Sequence, residues 1–370
     1  MNEVYFYCPT RIYFERNAIE KYLPVIKNYG QRVLIVSGKN FIYKSGLFNK
    51  IRNVLENEKI KYSIFSEVEP EPDTDNVEKG VEFCKKENCD VIVAIGGGSA
   101  LDVGKCIAVR SKNKGNISDY FGEKEYKNEP LPVIAIPTTC GTGSEVTRYA
   151  VIVNKSEKTK KTVSNEKIMP KVAILDPNVL EFLPPKLIAA TGMDAFSHAV
   201  ESYLSINSDF FSKLFAIESL KLIKENIKKA VFGDKEAKEK LFIGSIFAGY
   251  AINRTGTIII HGIGYSLTIK YHTHHGTANA LFLPYVLEFM KENGYEKEIE
   301  EMENIIGPTS ELKNFITEIG LPVKLREIGV KKEDIEEIVD LSIKGCERAM
   351  KRMKFNLKEE DFLKIITSSY

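Results

Sequence analysis

The chain is expected to fold as a doubly wound α/β domain over residues 1–178, followed by an all-helical domain over residues 179–370. Its 370 residues exceed what one hydrophobic core usually organises. Short β-branched runs alternate with amphipathic stretches from about residue 30 to residue 178, the pattern of a wound parallel sheet. After Asp176-Pro177 the strand signals fade and a helical period takes over. A cleft between two such domains is the usual place for a binding site.

The strand runs are Arg32–Val36, Tyr62–Phe65, Val91–Ile95, Val133–Ile136 and Val172–Leu175. Their apolar residues are continuous rather than alternating, as in parallel strands covered on both faces. The helical stretches are Lys186–Ser205, Phe211–Lys229, Lys235–Thr255 and Asn279–Glu292, and the pattern continues to the C-terminus. The charge run from Asp234 to Lys240 reads as a solvated helix start rather than a binding tail.

Lys and Arg total 52 against 51 for Asp and Glu, so no basic field recruits nucleic acid. Met1–Phe6 lacks the basic and long apolar regions of a leader, and no apolar run reaches membrane-spanning length; a cytoplasmic protein is expected. Cysteines 8, 84, 89, 106, 140 and 346 form no Cys-x-x-Cys pair, which argues against a disulfide scaffold or a zinc ribbon and for reduced thiols.

Two turns carry candidate anion chemistry. Gly96-Gly97-Gly98-Ser99 follows a strand run and opens a helical stretch, where bare backbone and free helix N–H groups suit a pyrophosphate. The usual dinucleotide fingerprint would place a third glycine at 101, which is Leu, and the P-loop pattern is absent. Alone, this run reads equally well as a tight structural turn. The second turn, Thr138-Thr139-Cys140-Gly141-Thr142-Gly143-Ser144-Glu145, also follows a strand run, and two such turns in one sheet favour a nucleotide at the strand ends.

All five histidines lie between positions 198 and 275, a clustering that points to a shared task. Asp194 and His198 stand one turn apart on a helix face; in isolation they read as a surface pair. His261-Gly262 and His275-Gly276 change that reading. One carboxylate and three imidazoles form a donor set for Fe(II) or Zn(II), with room for a substrate oxygen. His272 and His274 are expected outside the ligand set.

The glycine run with Asp102 and Lys105, Pro137 to Glu145, Gly192 to Glu201, and His261 with His275-Gly276 together resemble the iron-containing (group III) alcohol dehydrogenase family over nearly the whole chain. The resemblance implies a Rossmann-like N-terminal domain, the dehydroquinate synthase-like two-domain architecture, and a metal held by Asp194, His198, His261 and His275. It also implies that Gly96, Gly97, Gly98 and Ser99 hold the pyrophosphate, that Asp102 lies near the cofactor, and that Thr138, Thr139, Ser144 and Lys160 line the nucleotide site. Two departures stand out. Ala100 replaces a proline common after the glycine run, and Tyr265 stands where many members carry a further histidine, so the candidate proton relays are Tyr265, His272, His274 or a ribose hydroxyl with water.

Gly38, at the end of the run Arg32–Val36, replaces the acidic residue that members using NAD often carry there, and Lys39 adds a cation. NADP(H) is therefore expected over NAD(H). The expected reaction is hydride transfer between a small alcohol or diol and nicotinamide, with a homodimer as the expected assembly. A dehydroquinate synthase-like lyase would need a basic cluster for its polyanionic substrate, and only Arg254 and Lys270 lie near the histidines in sequence. Glycerol dehydrogenase is an alternative within the same reaction class.

Overall fold

The computed structural model of the chain describes residues 4–157 and 159–370. Met1, Asn2 and Glu3, which open the segment read against a leader, lie outside the described residues. The chain divides into two units. One comprises Tyr7–Thr139 with Ser144–Leu183; the other comprises Cys140–Gly143, Pro184–Tyr370 and the described part of Met1–Phe6. The expected boundary at 178/179 falls in the helical turn Pro177–Phe182, just ahead of this division.

The first unit contains strands β1 (Arg11–Phe14), β2 (Arg32–Gly38), β3 (Lys61–Val68), β4 (Val91–Gly96), β5 (Gly122–Glu123), β6 (Val133–Pro137), β7 (Tyr149–Asn154), β8 (Thr159–Ser164) and β9 (Val172–Leu175). Its helices are α1 (Ala18–Tyr22), α2 (Phe41–Lys44), α3 (Leu47–Asn57), α4 (Thr74–Lys86) and α5 (Gly98–Lys112). The main sheet is parallel in the order β1-β9-β6-β4-β2-β3. All five strand runs read from the sequence are in it, and β4, β6 and β9 are buried almost throughout, as continuous apolar runs require.

From β2 the chain first adds β3 on one side, then crosses to place β4 on the other. That reversal is the topological switch point where α/β sheets bind ligands. Ser37 pairs with Ile95, so Gly38 and Gly96 end adjacent strands side by side.

A second, smaller sheet, β5-β8-β7, was not legible in the sequence, because Thr159-Lys160-Lys161-Thr162 is polar. Its strand β7 is tied to α5 by a fully buried lysine. Lys105 Nζ donates to Ser144 Oγ (2.8 Å), the Thr147 carbonyl (3.0 Å) and the Tyr149 carbonyl (2.7 Å), which uses all three ammonium protons. Asp102 accepts from Ser144 Oγ (2.6 Å) and from the Val151 N–H (2.9 Å). Burial pushes Lys105 down to about 8, against the attraction of Asp102 and Glu145.

The second unit contains α6 (Pro185–Leu204), α7 (Phe210–Val231), α8 (Lys235–Thr255), α9 (Ile259–Tyr271), α10 (His275–Met290), α11 (Glu296–Ile306), α12 (Leu312–Glu318), α13 (Ile335–Cys346) and α14 (Glu359–Ser368). Helix α6 is buried without interruption from Ile188 to Leu204, packed among α7, α8, α9 and α10. Such enclosure marks a central rather than an amphipathic helix. The Asp234–Lys240 run is the start of α8, where Asp234 accepts the Ala237 N–H (2.8 Å). Helix α10 begins at His275 rather than near Asn279, because the His274 ring accepts the Gly276 N–H (3.2 Å) and so caps it.

Replacing Lys105 with Met preserves length but strips three buried oxygens of their donor. We expect a loss of about 3 kcal/mol, read as a lower urea midpoint at unchanged slope; an unchanged midpoint would show that the lysine does not hold β7 to α5.

Candidate functional site

Helix α6 carries polar residues that its surroundings do not satisfy. Its hydroxyls are answered: Thr191 Oγ1 donates to the Leu187 carbonyl (2.9 Å), Ser197 Oγ to the Met193 carbonyl (2.9 Å), and Thr255 Oγ1 to Ser202 Oγ (3.0 Å). Asp194, His198 and Glu201 follow one face at i, i+4 and i+7, and all three are buried. Asp194 Oδ2 and His198 Nδ1 have no hydrogen-bond partner, and neither has His261 Nε2 from α9. Ligand atoms of Asp194, His198 and His261 all lie within 4.8 Å of one another.

The fourth residue comes from the start of α10, with His275 Nε2 3.3 Å from Asp194 Oδ2. That approach depends on Gly276, where a Cβ would lie 2.1 Å from the Ala190 carbonyl oxygen. The structure therefore groups Asp194, His198 and His261 within ligand reach of one another and sets His275 beside Asp194. Converging lone pairs of one carboxylate and several imidazoles, buried and unpartnered, fit a borderline divalent cation.

The electrostatics point the same way. Burial alone would raise the Asp194 carboxyl, but His275, His198 and His261 hold it well below the usual carboxylate range. Burial pushes His198 down to about 3, helped by the neighbouring His261 ring, which stacks on it at 4.3 Å. Burial would also lower His261, yet Glu201 and then Asp194 bring it up to about 10. Two buried carboxylates thus demand positive charge at one point, which a proton on His261 or a metal cation can supply.

Glu201 belonged to a motif read from the sequence but had been given no role. Its Oε2 bonds His261 Nδ1, and its Oε1 accepts the N–H groups of Ile260 (2.9 Å) and His261 (3.2 Å). This fixes the ring and leaves Nε2 facing Asp194. The i+7 spacing from Asp194 was the available signal. Asn279, whose Nδ2 donates to Asp194 Oδ1 (2.9 Å), and Gly141, whose backbone lies beside the His198 ring, had no such signal. His272 ends α9 in the left-handed conformation, and Tyr265 lies half-buried one turn after His261.

In the other unit, Gly96 turns out of β4 at φ 147°, a conformation other residues avoid. Gly97 then precedes α5 as its N-cap with no side-chain bond, so the N–H groups of Gly98 and Ser99 remain available to an anion while those of Ala100 and Leu101 return to the Gly97 carbonyl. A Cβ on Gly97 would lie 3.3 Å from Thr139 Oγ1, and the Thr138 N–H donates to the Gly96 carbonyl (2.9 Å), so both threonines border the turn. The close helix–strand packing expected of a third glycine falls to Gly104, where a Cβ would lie 2.7 Å from Ala94 Cβ. Ser99 sits in the first turn of α5. Ser144 and Asp102 are joined with Lys105, while Lys160 pairs with Glu71. Gly38 leaves space, a Cβ there meeting only the Val68 carbonyl at 3.5 Å, and Lys39 is exposed.

Glu201→Gln keeps the hydrogen-bonding shape and removes the charge behind His261. A chelator-competition titration is expected to show metal affinity about 10- to 100-fold lower; unchanged affinity would remove Glu201 from the site.

Residues 9–177 match the family described as iron-containing alcohol dehydrogenase, and residues 188–370 match the Fe-containing alcohol dehydrogenase family, C-terminal. The chain is 35% identical over 346 residues to the NAD-dependent methanol dehydrogenase of Bacillus methanolicus, covering 90% of this chain and 91% of that one. It is 32% identical over 352 residues to the NADPH-dependent butanol dehydrogenase of Clostridium saccharobutylicum, covering 91% and 89%. An iron-containing alcohol dehydrogenase of Thermotoga maritima, known from its crystal structure, matches at a TM-score of 0.90 and 35% identity over 99% of each chain. With both halves accounted for by the two parts of one family, the chain belongs to the iron-containing alcohol dehydrogenases and is an oxidoreductase.

Proposed function

We infer that this chain is a metal-dependent, NADP(H)-preferring alcohol dehydrogenase and aldehyde reductase acting on small primary alcohols or diols. The observation that carries the reading is the convergence of unpartnered donor atoms from Asp194, His198 and His261 beside His275. These four residues hold Fe(II), with Zn(II) acceptable to the same donors. When bound, the cation supplies Lewis acidity at the alcohol or carbonyl oxygen, and the nicotinamide supplies or accepts the hydride.

The protein's own groups bind and orient. First-turn N–H groups of α5 at Gly98 and Ser99, with the bare backbone of Gly96 and Gly97, receive the pyrophosphate. Thr138 and Thr139 flank it, and Lys105 holds Ser144 and Asp102 in place beside the turn. Lys160 is assigned a nucleotide contact in this reading. Glu201 keeps a proton on His261 Nδ1, so that Nε2 presents its lone pair. Tyr265 moves the proton between the substrate oxygen and solvent.

The NADP(H) preference rests on the end of β2. Gly38 places no carboxylate near an adenosine ribose, and Lys39 offers a cation to a 2′-phosphate. The relatives include one named NAD-dependent and one named NADPH-dependent, so the preference is specific to this chain's residues. We place the enzyme in the cytoplasm as a homodimer. No helix among the described residues is long and apolar enough to cross a membrane.

The direct test is anaerobic: remove metal, add back Fe(II) or Zn(II), and follow NADPH oxidation with butyraldehyde beside an NADH control. Metal-restored NADPH oxidation is expected, and no oxidation with either cofactor and either metal across an aldehyde panel would overturn the reading. His261→Ala and His275→Ala are expected to lose bound metal and turnover together, whereas Tyr265→Phe should lower the rate and retain metal.

Gly38→Asp probes cofactor choice. The space there admits the side chain, so the ratio of kcat/KM for NADPH to that for NADH should fall by at least about tenfold, corresponding to about 1.4 kcal/mol. An unchanged ratio would move the determinant away from β2.

A further inference from the structure

Cys84 and Cys89 belong to neither site, yet the fold sets them against each other. Helix α4 ends where Glu87 N–H bonds the Phe83 carbonyl at 3.0 Å, Asn88 adopts a left-handed φ of 53°, and Cys89 N–H returns to the Cys84 carbonyl at 3.0 Å. In this kind of helix stop, the side chains at the two ends of the closing hydrogen bond face each other and usually make an apolar contact. Here both are thiols, close enough to shift each other's titration.

Their settings differ in a useful way. Cys84 is buried in the core of the α/β unit, whereas Cys89 packs against that core from a half-buried position open to small reagents. Two cysteines packed merely as small apolar residues would not need one of them near solvent. The two thiols shift each other, Cys84 down and Cys89 up, so the pair yields its first proton more readily than its second.

We propose that Cys84 and Cys89 form a dithiol modification site that a peroxide closes to an intrachain disulfide. The oxidant reaches Cys89 first. Its sulfur bonds one peroxide oxygen, the O–O bond breaks, and the thiol proton leaves with the other oxygen as water. Cys84 Sγ then attacks the oxidised sulfur, the S–S bond forms, the S–O bond breaks, and a second water carries away the Cys84 proton. Two electrons pass from the two thiols to one peroxide. A nearby second thiol intercepts Cys89 before irreversible oxidation.

Lys85 and Lys86 lie between the two cysteines, so trypsin separates them into peptides 80–85 and 87–105. Of the other cysteines only Cys8 is not buried, and Cys8→Ser removes intermolecular pairing from the readout. The folded Cys8→Ser protein is treated with hydrogen peroxide, alkylated, digested without reductant and mapped by mass spectrometry. The expected product is peptide 80–85 joined to peptide 87–105, two hydrogens lighter than their sum and separated by reductant. Adding Cys84→Ser should instead give Cys89 as sulfinic acid. Two separately alkylated peptides, at a peroxide dose that oxidises Cys89 in the Cys84→Ser variant, would overturn the proposal. So would no oxidation of Cys89 in either protein at a dose that consumes free glutathione.

Discussion

Two carboxylates buried on one helix, Asp194 and Glu201, set the terms for the helical unit. Neither is stable in a low-dielectric interior unless positive charge or donors are brought to it. Glu201 receives two backbone N–H groups and the His261 ring; Asp194 receives an Asn279 amide at Oδ1, has His261 and His275 nitrogens 3.3 Å from its oxygens, and keeps Oδ2 without a hydrogen bond. Folding alone would more simply have placed apolar residues there. Retaining unanswered polar atoms in an otherwise satisfied helix is the signature of a site whose last partner is not a protein group.

The packing of α6, α9 and α10 follows from that demand. His261 is delivered by the start of α9, pinned through its backbone to Glu201, and His275 by the start of α10, admitted by the missing side chain of Gly276. Ligands mounted on helix starts and fixed by neighbouring hydrogen bonds lose little freedom when a metal binds, which preserves affinity. In the α/β unit a buried cation plays the matching part. Lys105 gathers the segment from Ser144 to Tyr149 onto α5, about two turns after the uncapped glycine start. The glycine turn is thus backed by a satisfied polar network rather than by apolar packing alone.

Much of this was readable beforehand. The continuous runs at 32, 91, 133 and 172 became parallel strands, because strands buried on both faces leave few polar positions to obscure the pattern, and the run at 62 became the half-buried edge strand β3. Asp194 and His198 share a helix face by spacing alone. The polar strand β8 and the short edge strand β1 left no comparable trace, since their partners rather than their composition make them strands.

By itself the sequence determined the order of the two architectures, the glycine turn after β4, and the residue types available as ligands, because these are local patterns of burial and spacing. Only the tertiary structure decided that Glu201 orients His261, that Asn279 supports Asp194, that Gly104 rather than residue 101 allows α5 to approach β4, and that Cys84 meets Cys89 across a helix stop. Two of these contacts join residues 60 and 85 positions apart, and the two nearer pairs meet only through the path the backbone takes. Their existence depends on interhelical distances and turn conformations that no local pattern encodes.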